Sequence, residues 1–162
     1  MAELTNLETK LGEVIGLAMA AQAATEKVEK LTGDRQLKKQ LKTMRQEAAK
    51  AEKDGTKVAA TFNGKKSKIL QEARSVKTKG ATMMKTYLER GSDDLDGFEF
   101  LTMAEAGEVG HWAVLETLNK QARHPGVREL VKEQLPIQRR HFKEVTSASL
   151  QLAAKEDANA AA

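Results

Sequence analysis

Cysteine is absent from this chain of 162 residues, which excludes disulfides, thiolate metal sites and a cysteine nucleophile. Proline occurs twice and aromatic residues make up only 4%, while Ala, Lys, Glu and Leu abound, the composition of long helices. No apolar run is long enough to cross a bilayer: the longest, Val14 to Ala21, is interrupted by Gly16. The opening Met-Ala-Glu-Leu-Thr-Asn-Leu-Glu has no basic segment leading into an apolar one, so no secretory signal is expected and the cytoplasm is the expected compartment. A glycine-rich phosphate loop, a Gly-x-Ser-x-Gly elbow and a zinc-deaminase motif are all missing.

What the chain does have is helical periodicity. Its length suits one domain with a sizeable core. Leu4, Leu7, Leu11, Val14, Ala18, Ala21, Thr25 and Val28 alternate spacings of three and four, the seam of a helix from about Thr5 to Leu31. Thr32-Gly33-Asp34 stops it and supplies an N-cap for the next helix. That helix, 35–62, carries Leu37, Leu41, Met44, Ala48, Ala51, Gly55, Val58 and Phe62 at the same spacing. The short turn makes the pair (5–62) an antiparallel hairpin. Asn63-Gly64 is a turn. A third helix, 66–89, has a thin apolar stripe and docks on the others without filling the core. A second hairpin spans 94–155. Its first arm bears Phe98, Leu101, Glu105, Glu108, Trp112, Leu115 and Leu118, and its second Val127, Val131, Leu135, Gln138, Phe142, Val145, Ser149 and Leu152. Pro136 lies inside the second arm, where a kink or break is expected because proline removes a backbone donor and clashes with the preceding turn. The domain is therefore read as 1–157, with 158–162 a frayed tail. The fold class is all-α: an antiparallel four-helix bundle with an additional basic helix between the hairpins.

Charge concentrates on that third helix. From Lys65 to Arg90 there are eight basic residues against Glu72 and Glu89, a charge of +6 in a chain of net +4, so the remainder is net acidic. Lys66, Lys68, Arg74, Lys77, Lys79 and Lys85 make a candidate surface for an acidic protein or nucleic acid; the plain alternative is a solvated lysine-rich face. Tyr87 is the only ring in the segment, so such a patch would hold phosphates without reading sequence. The thin stripe also leaves room for a homo-oligomer contact.

The chemistry sits in the second hairpin, where polar residues interrupt the apolar stripe and burial is expensive unless they are paired. Measured outward from the turn at His124, with each helix rising about 1.5 Å per residue, Glu108 lies level with about residue 140, beside His141. His111 lies level with about residue 137, beside Gln138, and Glu105 falls about one turn beyond His141. Glu108 and His111 form Glu-x-x-His; Gln138 and His141 repeat it with an amide for the acid. Spacing of three places both members on one helix face. The alternatives are a Glu105 paired with Arg139 or Lys143, a Glu108 facing water, and histidines that hydrogen-bond within the bundle.

The pattern resembles the ferritin-like carboxylate-bridged di-metal bundles, in which two helices each give a Glu and two give Glu-x-x-His. The segment Leu101 to Val145 is similar to a stress-associated branch of that superfamily, in which Glu-x-x-Glu-Ile-Ala-x-Tyr and a Gly-His turn precede a Glu-Glu in the last helix. Here Glu105-Ala-Gly-Glu108-Val-Gly-His-Trp112 and His124 match, and Ile137-Gln138 stands where the two acids fall. The resemblance implies a ferritin-like bundle linked to stress or metal handling. It also places first-hairpin ligands near Met19 to Gln22 and Met44 to Glu47, where this chain offers Gln22 and Glu47, with Lys50 in place of the completing His. A di-metal centre needs about six protein ligands; Glu47, Glu105, Glu108, His111 and His141 fall short of that, so the expectation is one divalent ion, Fe, Mn or Zn, and no ferroxidase centre.

Overall fold

The computed structural model describes residues 3–161; Met1, Ala2 and Ala162, the last part of the expected frayed tail, lie outside the described residues. Five α-helices follow one another: α1 (Asn6–Glu29), α2 (Arg35–Ala59), α3 (Lys66–Tyr87), α4 (Asp94–Ala122) and α5 (Pro125–Ala153). No strand occurs among the described residues, and no helix is long and apolar enough to cross a membrane.

The helix ends have local causes. Thr5 and Glu8 cap α1 reciprocally, Asp34 accepts from the Gln36 and Leu37 N–H groups, and Asp93 forms the same reciprocal box with Asp96. His124 caps α5: its Nδ1 accepts from the Val127 N–H, and its ring stacks on Phe62 at 4.4 Å between centroids. Pro125 then takes the first helical turn, where a missing N–H costs nothing. Of the kink or break expected at Pro136, the break does not occur: α5 runs unbroken through it.

Inter-helix contacts fix the directions. Gln22 meets Glu52 and Gly55 meets Ile15, so α1 and α2 are antiparallel. Glu13 meets His111 and Val28 meets Gly97, so α4 also opposes α1. Thr102 meets Ser149 across α4 and α5, and Glu47 meets Arg140 and His141 across α2 and α5. α3 packs chiefly along α1, and it runs parallel to it: Gly12 faces Ile69 and Glu72, Gly16 faces Ala73 and Val76, and Ala20 faces Gly80. This seam depends on glycine. A Cβ on Gly16 would lie 2.3 Å from the Ala73 carbonyl oxygen, and one on Gly12 would lie 2.7 Å from that of Ile69. Only Ile69 and Ala73 of α3 are buried, as expected for a helix that docks on the others.

The apolar core is divided in two. One half gathers Leu11, Ile15, Ala51, Ile69, Trp112, Leu115 and Val131. The other gathers Val28, Leu41, Met44, Phe98, Leu101, Val145 and Leu152. Between them in sequence on α4 stand Glu105 and Glu108, and on α5 Gln138 and His141, all four buried. The α5 stripe differs from its heptad reading at Phe142 and Ser149: His141 and Ala148 are buried instead, and Phe142 is 36% exposed. A strict seven-residue repeat slips by about 20° per heptad against a 3.6-residue helix, enough to hand the inner position to a neighbour.

Candidate functional site

The polar layer is assembled from three helices. α4 supplies Glu105, 2% exposed, and Glu108, 4% exposed; α5 supplies His141, 2% exposed; α2 supplies Glu47. His141 Nε2 donates to Glu47 Oε2 at 2.5 Å, and the other oxygen of Glu47 accepts from Arg140 at 2.5 Å. On the far side of the ring, Nδ1 lies 3.8 Å from Glu105 Oε2, too far for a hydrogen bond. That oxygen is buried with no hydrogen-bond partner. Neither Arg139 nor Lys143 pairs with Glu105, which leaves His141 as its one ion-pair neighbour among the described residues.

Burial separates the protonation states. Glu105 is pushed well above the usual carboxylate range, first by burial and then by the neighbouring charges of Glu108 and Glu144. Burial likewise raises Glu108, to about 7. Burial pushes His141 down, outweighing the opposite pull of Glu47, so the imidazole is held neutral. Burial also works against the Glu47 charge, but the hydrogen bonds from His141 and Arg140 prevail and hold its pKa below the ordinary value. The result is a carboxyl favoured in its charged form at one end of the chain, a ring favoured in its neutral form in the middle with its Nδ1 lone pair free, and a carboxyl favoured in its protonated form at the other end.

Of the residues singled out in the sequence, Glu47, Glu105 and His141 come together, with Glu108 one turn along from Glu105. His111 does not join them. Its Nδ1 lies 3.1 Å from both Glu13 Oε2 and Lys10 Nζ, and its side chain is 42% exposed. Three residues turn a helix through about 300°, so His111 sits about 60° off the Glu108 line, over the edge of a buried stripe that continues at Trp112. Gln22 turns to Glu52, at 2.5 Å, and Lys50 pairs with Asp54 and Glu133 at the surface. His124 is a turn and capping residue. Among the described residues, no group of three or more His, Asp or Glu is placed to hold a metal ion.

Comparison with known proteins finds no match to a family model, a curated protein or a solved structure.

On α3, Lys66, Arg74, Lys77, Lys79 and Lys85 are exposed and make no ion pair among the described residues, while Lys68 is half-buried. They do not form one line: Lys79 lies about 140° around the helix from Arg74, so the charge wraps the outer half of α3. Two features escaped the spacing argument. One is the glycine seam, whose signal is the run Gly12, Gly16, Ala20 at intervals of four. The other is a cavity of about 220 Å³ between α1, α3 and α4, with Glu105 and Glu108 in its wall.

Proposed function

We propose that this is a ferritin-like four-helix bundle carrying α3 as an extra helix, and that its polar layer binds a single divalent cation between Glu105 and His141. The observation that carries the reading is the orphaned Glu105 Oε2, facing the free Nδ1 of a histidine whose other nitrogen is held by Glu47. A metal-ligating histidine nearly always donates its second N–H to a carboxylate or carbonyl, which fixes the tautomer and the ring. Two bonds of about 2.1 Å at a tetrahedral angle span a donor separation of about 3.4 Å, so the 3.8 Å found here would have to close by about 0.4 Å on an ion. The donors do not fit a di-metal centre. Glu47 therefore serves to orient His141. Mixed oxygen and nitrogen donors suit Zn, Fe or Mn, and the protein handles the ion without a ferroxidase reaction.

Elemental analysis of protein purified without chelator or histidine tag tests this. Near-stoichiometric metal, lost in Glu105→Ala and His141→Ala and bound about 10–100-fold more weakly in Glu47→Gln, is the expected result. A parent protein that contains none, and takes up none from added Fe(II), Mn(II) or Zn(II), sinks the reading.

A second reading, a metal-free bundle that binds an acidic protein or nucleic acid, is favoured by the unpaired cations on the outer half of α3. It requires salt-sensitive binding that is abolished by reversing Lys77, Lys79 and Lys85; binding indifferent to salt counts against it.

A further inference from the structure

The cavity between α1, α3 and α4 borders the Glu105–His141 contact, since Glu105 stands in its wall. Its floor is made of small side chains of α1, and its upper walls include Met83 and Met84 of α3 with Phe100 and Met103 of α4. Met83 and Met103 are exposed, 46% and 37% respectively, so the cavity opens to the surface between α3 and α4. Into this apolar wall α4 sets Glu108. It is almost fully buried, yet makes no hydrogen bond or ion pair to any described residue. A buried polar group without a partner is costly, and one lining an open cavity can be satisfied by a guest.

Three observations define that guest. The first is sign: the wall's acids, Glu105 and Glu108, are buried, whereas its basic residues are Lys77, exposed and paired with neither acid, and His111, engaged with Glu13 and Lys10. No cation of the wall faces the Glu108 carboxyl, so a guest that brings a positive charge is the one that can pair with it in its ionised form. The second is size. An apolar cavity of about 150 Å³ accommodates benzene, so about 220 Å³ takes one ring with a short side chain. The third is the wall: three methionines and a phenylalanine offer sulfur and ring contacts that favour an aromatic group.

We propose that this cavity binds a small arylalkyl ammonium ion, its ring between the methionines and Phe100 and its ammonium donating to the Glu108 carboxylate. The site does not depend on a cation between Glu105 and His141, and its test is run with a chelator present. Isothermal titration of the full chain at neutral pH would compare phenethylamine with phenethyl alcohol, the uncharged analogue, and hydrocinnamate, the anion. The amine should bind one-to-one and at least about tenfold tighter than the alcohol, as a charge-assisted hydrogen bond requires, and hydrocinnamate should not bind. Glu108→Gln should bring the amine down to the alcohol's affinity while leaving the alcohol unchanged, which also shows that the cavity is intact. Gly107 lines the cavity, and a Cβ there meets nothing within 4 Å; Gly107→Leu should fill the mouth without disturbing the helix and abolish binding of both. Equal affinities for amine and alcohol, an amine advantage that survives Glu108→Gln, amine binding unchanged in Gly107→Leu, or no binding at all would each overturn the proposal.

Discussion

The two apolar halves of the core and the polar layer that parts them are built on the same helices and do opposite things. In the halves, side chains such as Trp112, Leu41 and Phe98 are fully buried and supply the stabilisation that offsets chain entropy. In the layer, Glu105 and Glu108 are buried just as deeply, and each lowers stability whenever it ionises. One helix, α4, passes from the first regime to the second and back within Leu101 to Trp112. A frame can carry such a layer only because its ends are well packed, and departures from good packing mark the places to look for binding.

The contrast can be broken by substitution. The largest effect is expected in an apolar half: Trp112→Ala should cost about 3–5 kcal/mol in urea unfolding, as large-to-small changes in a tight core do. A loss below about 1 kcal/mol would mean that the half is loosely packed and the contrast is false. Glu108→Gln should act in the opposite direction. Its folded pKa of about 7 lies above the unfolded value, so the folded state holds a proton that the unfolded state gives up. Stability from this group is therefore intact in acid and lost as pH rises from the unfolded pKa through about 7. The Gln variant should be more stable than the parent at slightly alkaline pH by up to about 3 kcal/mol, and the gap should close as pH falls toward the ordinary carboxylate range. A gap that is constant with pH would show that Glu108 is not titrating. The smallest effect sharpens the comparison by asking whether α3 belongs to the frame. Gly16→Ala places a methyl against the Ala73 carbonyl and should cost about 1–3 kcal/mol. Hydrogen exchange should then rise in α3 while the α4–α5 pair stays protected; equal loss everywhere would make α3 an integral part of the core.

Much of this was legible in the spacing of residues. Alternation by three and four marks the helices, and Asp34 marks where the second begins. Levelling two antiparallel helices across a short turn brings the acids of α4 to the height of His141, because the rise per residue is common to both arms, but it sets Glu108 beside His141 and Glu105 a turn beyond, whereas the structure places Glu105 at the ring. The same argument is blind to rotation about each helix axis. A helical phase error of about 60° decides whether His111 enters the layer or leaves it, and a heptad written over a 3.6-residue helix assigns Phe142 the place that His141 takes. The cavity was not legible at all, since it depends on how far α3 stands from α4, which no single helix records. The glycines that draw α3 against α1 were in view, and Gly16 reads as an interruption of an apolar run until its partner Ala73 is known.

The course of α3 also ties the lengths of all the helices together. Because α2 and α4 both oppose α1, the chain leaves α2 at one end of the molecule and must enter α4 at the other. α3, with 22 residues, spans about 33 Å, close to the about 37 Å of the 25-residue α2. It is a strut cut to the height of the hairpins. An insertion or deletion of a turn in either hairpin leaves this strut too short or too long, and shifts Gly12 and Gly16 away from the carbonyls they were sized to meet.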